Sequence, residues 1–383
     1  MEQEKQYKIV YCTPSLYMAG GVERVLTLKA NYFAEEFGYD VTIITTDGKQ
    51  KPNFFTLSEK VHVVNLDINF EEMWHRSFLS RLFLYIAKEE KFKQLLSEEL
   101  NRIKPDVTIS LLRREINFLT DIHDGSKKVG EIHINRAHYR NFTPNRSNPF
   151  KDLFAKYWMH GLVKKVKQLD RFVVLTEYDR HAWQEIPRVV VIPNPLPFYP
   201  KKIPSERKKR VIAVGRYFDE KGYDLLLQSW SIVEKADSEW ELVVFGDGNK
   251  PYYERIADSL GLDRKRCILN DSISDVEKEY LASSLFVCTS RFEGFGMGII
   301  EAMACGLPVV AFDCLWGPRS IITDGEDGLL VENGSVEKMA DALISLLQDP
   351  GRIEMLGRNA RNNVKRFNID AIAEKWKKLF DSL

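Results

Sequence analysis

No stretch of the 383-residue sequence is apolar for long enough to cross a bilayer. The first residues, Met1-Glu2-Gln3-Glu4-Lys5-Gln6, are polar and run straight into a strand, which is not the order of a signal peptide. Net charge is missing too. Lys and Arg number 55 and Asp and Glu 55, a formal charge of +0, so no global basic excess points to nucleic acid. Cysteine is sparse and odd in number: Cys12, Cys267, Cys288, Cys305 and Cys314. They sit mostly in apolar segments and read as reduced core thiols, not as a disulfide framework or a zinc site. There is no D-x-D, no H-E-x-x-H, no internal repeat and no low-complexity tract. Neither Gly20-Gly21 nor Gly246-Asp247-Gly248 satisfies G-x-G-x-x-G, so a dinucleotide fingerprint is absent. The N-x-[ST] matches at Asn141, Asn145, Asn270 and Asn333 are chance in a chain expected to be cytoplasmic. What remains is 44% apolar and 29% charged residues, an ordinary globular composition long enough for two cored domains.

One stretch, Glu293 to Pro308, organises the rest. Gly294, Gly296 and Gly298 stand between Glu293 and Glu301, and the chain is then regularly apolar up to Cys305. Gly306 and Pro308 stop a helix. The glycines therefore open a helix that follows a strand, Leu285 to Thr289. Glycine there lets a ligand approach the backbone, and free N–H groups and the helix dipole at Gly296 to Gly298 attract a phosphate. A carboxylate does not profitably face a diphosphate. Glu293 in the loop and Glu301 a turn inside the helix are instead expected to accept hydrogen bonds from hydroxyls, one of a sugar and one of a ribose. Taken alone, the stretch also fits an acidic surface loop before an ordinary helix. It resembles, however, the E-x7-E motif of retaining glycosyltransferases with the GT-B fold, especially glycosyltransferase family 4. Companions of that motif occur in order along the chain.

The first is a strand from Tyr7 to Cys12, then Gly20-Gly21 and a helix from about Val22 to Phe37, with Val25, Leu28 and Tyr32 at helical spacing. Strand, glycine pair and helix open a doubly wound domain, which binds ligands at the carboxyl ends of its strands. The resemblance implies that the amides of Gly20 and Gly21, with Glu23 and Arg24 beside them, face the donor diphosphate. Further strands are expected at Asp40 to Thr45, His62 to Leu66, Pro105 to Ser110 and Lys128 to Ile134, with a long amphipathic segment from Phe78 to Ile103. Relatives place a histidine against the transferred sugar near the last of these strands. His133, in an H-x-N context, fits best, although Ile132 stands where relatives carry Glu and Glu131 is one residue early; His138 is the alternative.

From Arg136 to Arg171 basic residues (Arg136, Arg140, Arg146, Lys151, Lys156, Lys164, Lys165, Lys167, Arg171) face only Asp152 and Asp170. Tyr139, Phe142, Phe150, Phe154, Tyr157 and Trp158 are interleaved. The run reads either as a solvated face or as a surface for anionic lipid or a lipid-diphosphate acceptor, presented by Lys151, Lys156, Lys164, Lys165 and Lys167. Phe172 to Thr176 is expected to close the first sheet, and the proline-rich residues 196–210 read as an interdomain linker.

The second domain opens with the strand Val211 to Val214 and then Gly215-Arg216 … Lys221-Gly222-x-Asp224, similar to the G-R-…-K-G-x-D-x-L element of the same family. The resemblance implies that Arg216, as a fork, and Lys221, as a point charge, meet the two donor phosphates. Gly246 allows backbone near the ligand, and Cys267 to Ser274 is where relatives hold the nucleobase. Phe295, Met297 and Ile299 complete the donor-binding loop. Ser320 departs from the Glu that relatives commonly carry.

The expectation is thus an α/β protein of GT-B type, two Rossmann-like doubly wound domains facing each other across a cleft. Residues 1–195 should hold the acceptor, 211–366 the donor, and a C-terminal helix in 367–383 should cross back to the first domain. Implied is a retaining transfer from a nucleotide-diphosphate sugar, of UDP type, to a glycan or lipid-linked acceptor, with peripheral contact to anionic membrane. Arg216, Lys221, Glu293 and His133 would carry the chemistry, without cofactor or metal. Three competing readings are an epimerase or hydrolase of the same fold, a non-catalytic sugar-nucleotide binder, and a membrane-surface scaffold. The last two leave the joint presence of Arg216, Lys221, Glu293 and Glu301 without a purpose.

Overall fold

The computed structural model describes residues 5–73, 77–141 and 149–383. The chain divides into two compact units, 1–195 together with 369–383, and 196–368.

The first unit is built on seven parallel strands: β1 (Lys8–Thr13), β2 (Asp40–Thr45), β3 (Val61–Asn65), β4 (Val107–Ser110), β5 (Lys127–Glu131), β6 (Arg171–Val174) and β7 (Val189–Val191), in the order β3-β2-β1-β4-β5-β6-β7. Runs such as Val41 to Thr45 are buried residue after residue, as expected of strands covered on both faces. The sequence order reverses between β1 and β4, and such a switch point leaves a crevice at the carboxyl ends of the strands. Into that end lead the turn before the helix Gly21–Glu35 and the segment after β5. Contrary to expectation, Phe172 to Thr176 does not close this sheet. The short β-branched run Val189–Val191 pairs parallel with β6 and forms the edge, at a length too small to stand out between Pro187 and Pro193.

The last helix, Ile369–Asp381, is part of this first unit. Ile372, Ala373, Trp376, Leu379 and Phe380 enter its core beside Phe33 and Tyr39, and Tyr7 donates a hydrogen bond to Asp381 at 2.9 Å. Its apolar residues recur at helical spacing, so burial against the first sheet makes a stable helix of a sequence that is otherwise charged.

The second unit repeats the plan with β8 (Arg210–Val214), β9 (Glu241–Gly246), β10 (Cys267–Asp271), β11 (Leu285–Cys288), β12 (Val309–Phe312) and β13 (Gly328–Val331), ordered β10-β9-β8-β11-β12-β13 and all parallel. Its switch point lies between β8 and β11. Residues 196–210 are not a free linker. Leu196 N donates to Phe367 O at 2.8 Å, and Arg207 donates to the carbonyls of Ser283 and Cys305 at 2.8 and 2.6 Å. Prolines there stiffen a strap lying on this unit. All five cysteines are free and buried.

Candidate functional site

The stretch singled out in the sequence meets the Gly215–Gly222 turn at the switch point of the second sheet. Arg216 follows the carboxyl end of β8, and Ser290 and Glu293 follow that of β11. A single tight turn, Asp219–Lys221, places Lys221, and Gly222 closes it at φ 60°. A side chain at Gly222 is excluded because a Cβ would fall 2.1 Å from the Thr289 carbonyl oxygen. Gly246 is required in the same way, since its Cβ would stand 2.0 Å from the carbonyl oxygen of Gly215. The loops after β8, β9 and β11 therefore close on one another through bare backbone.

At the centre is an ion pair, Lys221 Nζ to Glu293 Oε1 at 2.6 Å, with the two side chains 22% and 13% exposed. Ser290 Oγ donates to the same Glu293 oxygen at 2.7 Å, and Thr289 Oγ1 donates to the Lys221 carbonyl at 3.0 Å. Burial works against the Lys221 ammonium, but Glu293 outweighs it, and Lys221 is held above the usual lysine value. Its charge is therefore permanent at neutral pH. Gly296, Gly298 and Ile299 line a recess of about 20 Å³ beside this pair, room for one water-sized group. The helix Met297–Ala304 starts there after Gly296 at φ 106°. Glu301 is buried inside it and accepts from the Tyr280 hydroxyl at 3.3 Å. Phe295 is buried against Phe367, with ring centroids 5.4 Å apart.

Arg216 is placed differently. Its side chain is 62% exposed, donates to Glu220 at 2.6 Å and lies over the Phe218 ring. Both expected phosphate cations thus rest on carboxylates of their own unit. Sequence reasoning did not find Ser290, Thr289, Tyr280 or Tyr223, whose hydroxyl donates to the Gly215 carbonyl at 3.1 Å. Thr289 and Tyr223 donate to backbone carbonyls, Ser290 and Tyr280 to carboxylates, and single hydroxyls of this kind leave no spacing signal.

In the first unit, Gly20 caps the helix Gly21–Glu35, and Glu23 folds over it so closely that a Cβ on Gly20 would lie 2.0 Å from the Glu23 carboxylate. About two turns further in, Lys29 is buried. It binds both oxygens of Glu131 at 2.5 Å, and each of the two side chains is 1% exposed. The ammonium also lies 4.5 Å from the centre of the Trp376 ring. His133 follows the end of β5, with Nε2 3.3 Å from Glu131. Burial alone raises the Glu131 pKa, but Lys29 and then His133 more than reverse this, and it titrates at about 2. His138 Nδ1 is 2.8 Å from the buried Asn135 Oδ1. Lys29 on the apolar stripe of a helix, in step with Leu26 and Phe33, was the available signal for this pair.

The basic segment is partly spoken for. Lys165 pairs with Asp121 at 2.8 Å, Arg136 with Glu185 at 2.6 Å, and Arg171 donates to Ser382 O at 2.9 Å. Lys156 and Lys164 on the helix Pro149–Val166, and Lys167 just after it, are exposed, as is Tyr157 at 78%. Phe142, Asn145 and Arg146, and the side chains of Arg140, Phe150, Lys151, Asp152 and Phe154, lie outside the described residues. Among the described residues no helix is long and apolar enough to cross a membrane. Exposed cations near a lipid surface act over about a Debye length. Reversing Lys164 and Lys167 to Glu is expected to weaken sedimentation with anionic vesicles, and added salt to abolish it. Equal sedimentation with neutral and anionic vesicles would make this a merely solvated face.

Two parallel-sheet units of this topology have the GT-B fold. In superposition on a mutant of S. aureus TarM solved with fondaparinux, alpha-GlcNAc-glycerol and UDP, 98% of this chain and 100% of the other are covered, with a TM-score of 0.78 and 18% identity. Residues 197–363 match the model of the family glycosyl transferases group 1. An uncharacterized glycosyltransferase of Haemophilus influenzae is 29% identical over 97% of this chain and 99% of its own length. The poly(ribitol-phosphate) alpha-N-acetylglucosaminyltransferase of Staphylococcus aureus is 29% identical over 68% of this chain, which spans only 52% of that protein.

Proposed function

We propose that the protein moves a hexose with retention of configuration from a UDP-sugar to a glycan or lipid-linked acceptor in cell-surface polymer synthesis. The observation that carries this reading is the Lys221–Glu293–Ser290 cluster between two glycine turns at the switch point of the second sheet. A permanent cation and a hydrogen-bonding carboxylate lie side by side there, as a diphosphate and an adjoining sugar require. Lys221 and Arg216 neutralise charge on the departing nucleoside diphosphate in place of a metal. Glu293 orients a sugar hydroxyl and makes no bond to carbon. The acceptor hydroxyl attacks the anomeric carbon on the face the diphosphate leaves, the carbon–phosphate-oxygen bond breaks, and a phosphate oxygen takes the acceptor proton. The role expected of His133 against the sugar belongs to the same proposal, as does the donor diphosphate on the amides of Gly20 and Gly21.

Incubation with a panel of nucleotide sugars and lipid-linked or glycan acceptors, with EDTA present, tests it. Free nucleotide and product are read by mass, and the new linkage by NMR. An α-donor is expected to give an α-linked product, at a rate that EDTA leaves nearly unchanged. Glu293→Gln should keep a fraction of the activity and trap no glycosyl-enzyme. A β-linked product, or a sugar adduct on Glu293, would sink retention by this route. Activity that EDTA removes and manganese restores would assign the phosphates to a metal. Donor isomerised or hydrolysed without acceptor would select the epimerase or hydrolase reading, and binding without turnover the non-catalytic one.

A further inference from the structure

Beside this cluster stands a residue whose backbone is out of character. Trp316 has φ 82°, in the left-handed region that favours glycine. Among the described residues the other non-glycine ones there are Asp67, Asn69, Lys104 and Leu112, so the bulkiest side chain of the set occupies this position. Such a conformation is strained for a bulky side chain and persists only where the surroundings over-determine it.

The surroundings do so here. Ser320 Oγ donates to the Trp316 carbonyl at 2.6 Å, and Ser320 N donates to Gly317 O at 3.0 Å. Asp313 and Arg319, at the two ends of the loop, are joined by a double hydrogen bond. Gly317 seats the loop against the site: its Cβ would fall 2.7 Å from both Glu293 Cβ and the Phe295 carbonyl. Ser320, the position where the sequence departs from the Glu of its relatives, is thus the residue that pins the tryptophan. The indole is partly buried. Among the described residues it makes no hydrogen bond and no ring–ring contact. A strained backbone that holds an aromatic ring without a hydrogen-bond or ring partner, one residue from the contact with Glu293, calls for a ligand.

We propose that Trp316 is a specificity-determining residue whose indole packs on the apolar C–H face of the transferred hexose, while Glu293 takes a hydroxyl of the same ring. This rests on the donor-site reading above. A pyranose offers an apolar face with weakly positive hydrogens, and the electron-rich face of tryptophan is its natural complement. The nucleotide is not part of the contact.

Trp316→Gly, Trp316→Asn and Trp316→Phe in the full chain test it. Gly and Asn suit the left-handed backbone, so their melting temperatures should not fall. For the preferred nucleotide sugar, kcat/KM should drop roughly tenfold, the size of a lost aromatic contact. The preference between donors that differ at one hydroxyl should narrow, while inhibition by free nucleotide stays unchanged. Trp316→Phe should recover part of the loss. Unchanged kcat/KM and donor preference in both the Gly and Asn variants would overturn the inference. So would a lowered melting temperature with all donors affected alike, which is the mark of a packing residue. Glu293→Gln separates the two levels. If it impairs donor use while the Trp316 variants match the natural chain, this inference fails and the donor site stands. If the natural chain turns over no nucleotide sugar, the functional reading fails and this inference with it.

Discussion

Replacing Lys221 by alanine is expected to slow sugar transfer by about 10²–10³-fold, the usual loss when one preorganised charge at a developing anion is removed. Lys221 is suited to that task because Glu293 keeps it charged and Ser290 and Thr289 fix the loop that holds it. Stability should fall much less than activity. The pair is partly exposed, and the Glu293 carboxylate left behind keeps the Ser290 hydroxyl and water. Lys221→Arg should not restore the rate, since a planar fork does not replace a compact ammonium in this recess. Initial rates measured beside denaturant midpoints decide it. An alanine variant with at least half the natural rate would show that the diphosphate charge is met elsewhere.

The largest effect on stability is expected in the first unit, at Lys29 and Glu131. Breaking a buried pair by removing one partner typically costs about 3–5 kcal/mol, because the other charge stays buried without its counter-charge. Glu131→Gln and Lys29→Met should each show a loss of that order in urea unfolding. The double variant should regain most of it, since two well-packed neutral side chains leave no charge behind. The sign with pH follows from Glu131, whose folded value of about 2 lies below its ordinary value of 4.5. Its contribution is complete above the ordinary value and is lost as pH falls towards 2. A single variant within about 1 kcal/mol of the natural chain would mean that water reaches the pair despite the burial.

Much of this was legible from the residues alone. The alternation of apolar runs with helical stretches pointed to both doubly wound sheets, and glycines at the ends of strands marked the place where ligands approach. The run from Glu293 to Pro308 stood out because its chemistry is local in sequence. What stayed hidden depends on contacts between distant residues. The partnership of Lys221 with Glu293 spans 72 positions, and that of Lys29 with Glu131 spans 102. The prolines of 196–210 read as a stiff interdomain linker, and composition reports stiffness but not attachment; Arg207 supplies the attachment. Val189–Val191 escaped notice as a sheet edge because three residues carry no periodicity. Trp316 could not have been singled out, since a left-handed φ on tryptophan has no sequence signature.

The return of the helix Ile369–Asp381 to the first unit has a consequence for synthesis on the ribosome. The second unit is one unbroken segment and can settle as soon as it has emerged. The unit made first lacks Trp376, Phe380 and the partner of Tyr7 until that helix has followed. At elongation rates of about 5–20 residues per second, that wait lasts roughly 10–40 s. Over that interval the faces of Phe33 and Tyr39 that meet Phe380 lack that cover. Nascent protein is therefore most exposed to chaperones and proteases in the portion made first, and a premature stop before the helix damages that older portion while sparing the newer one.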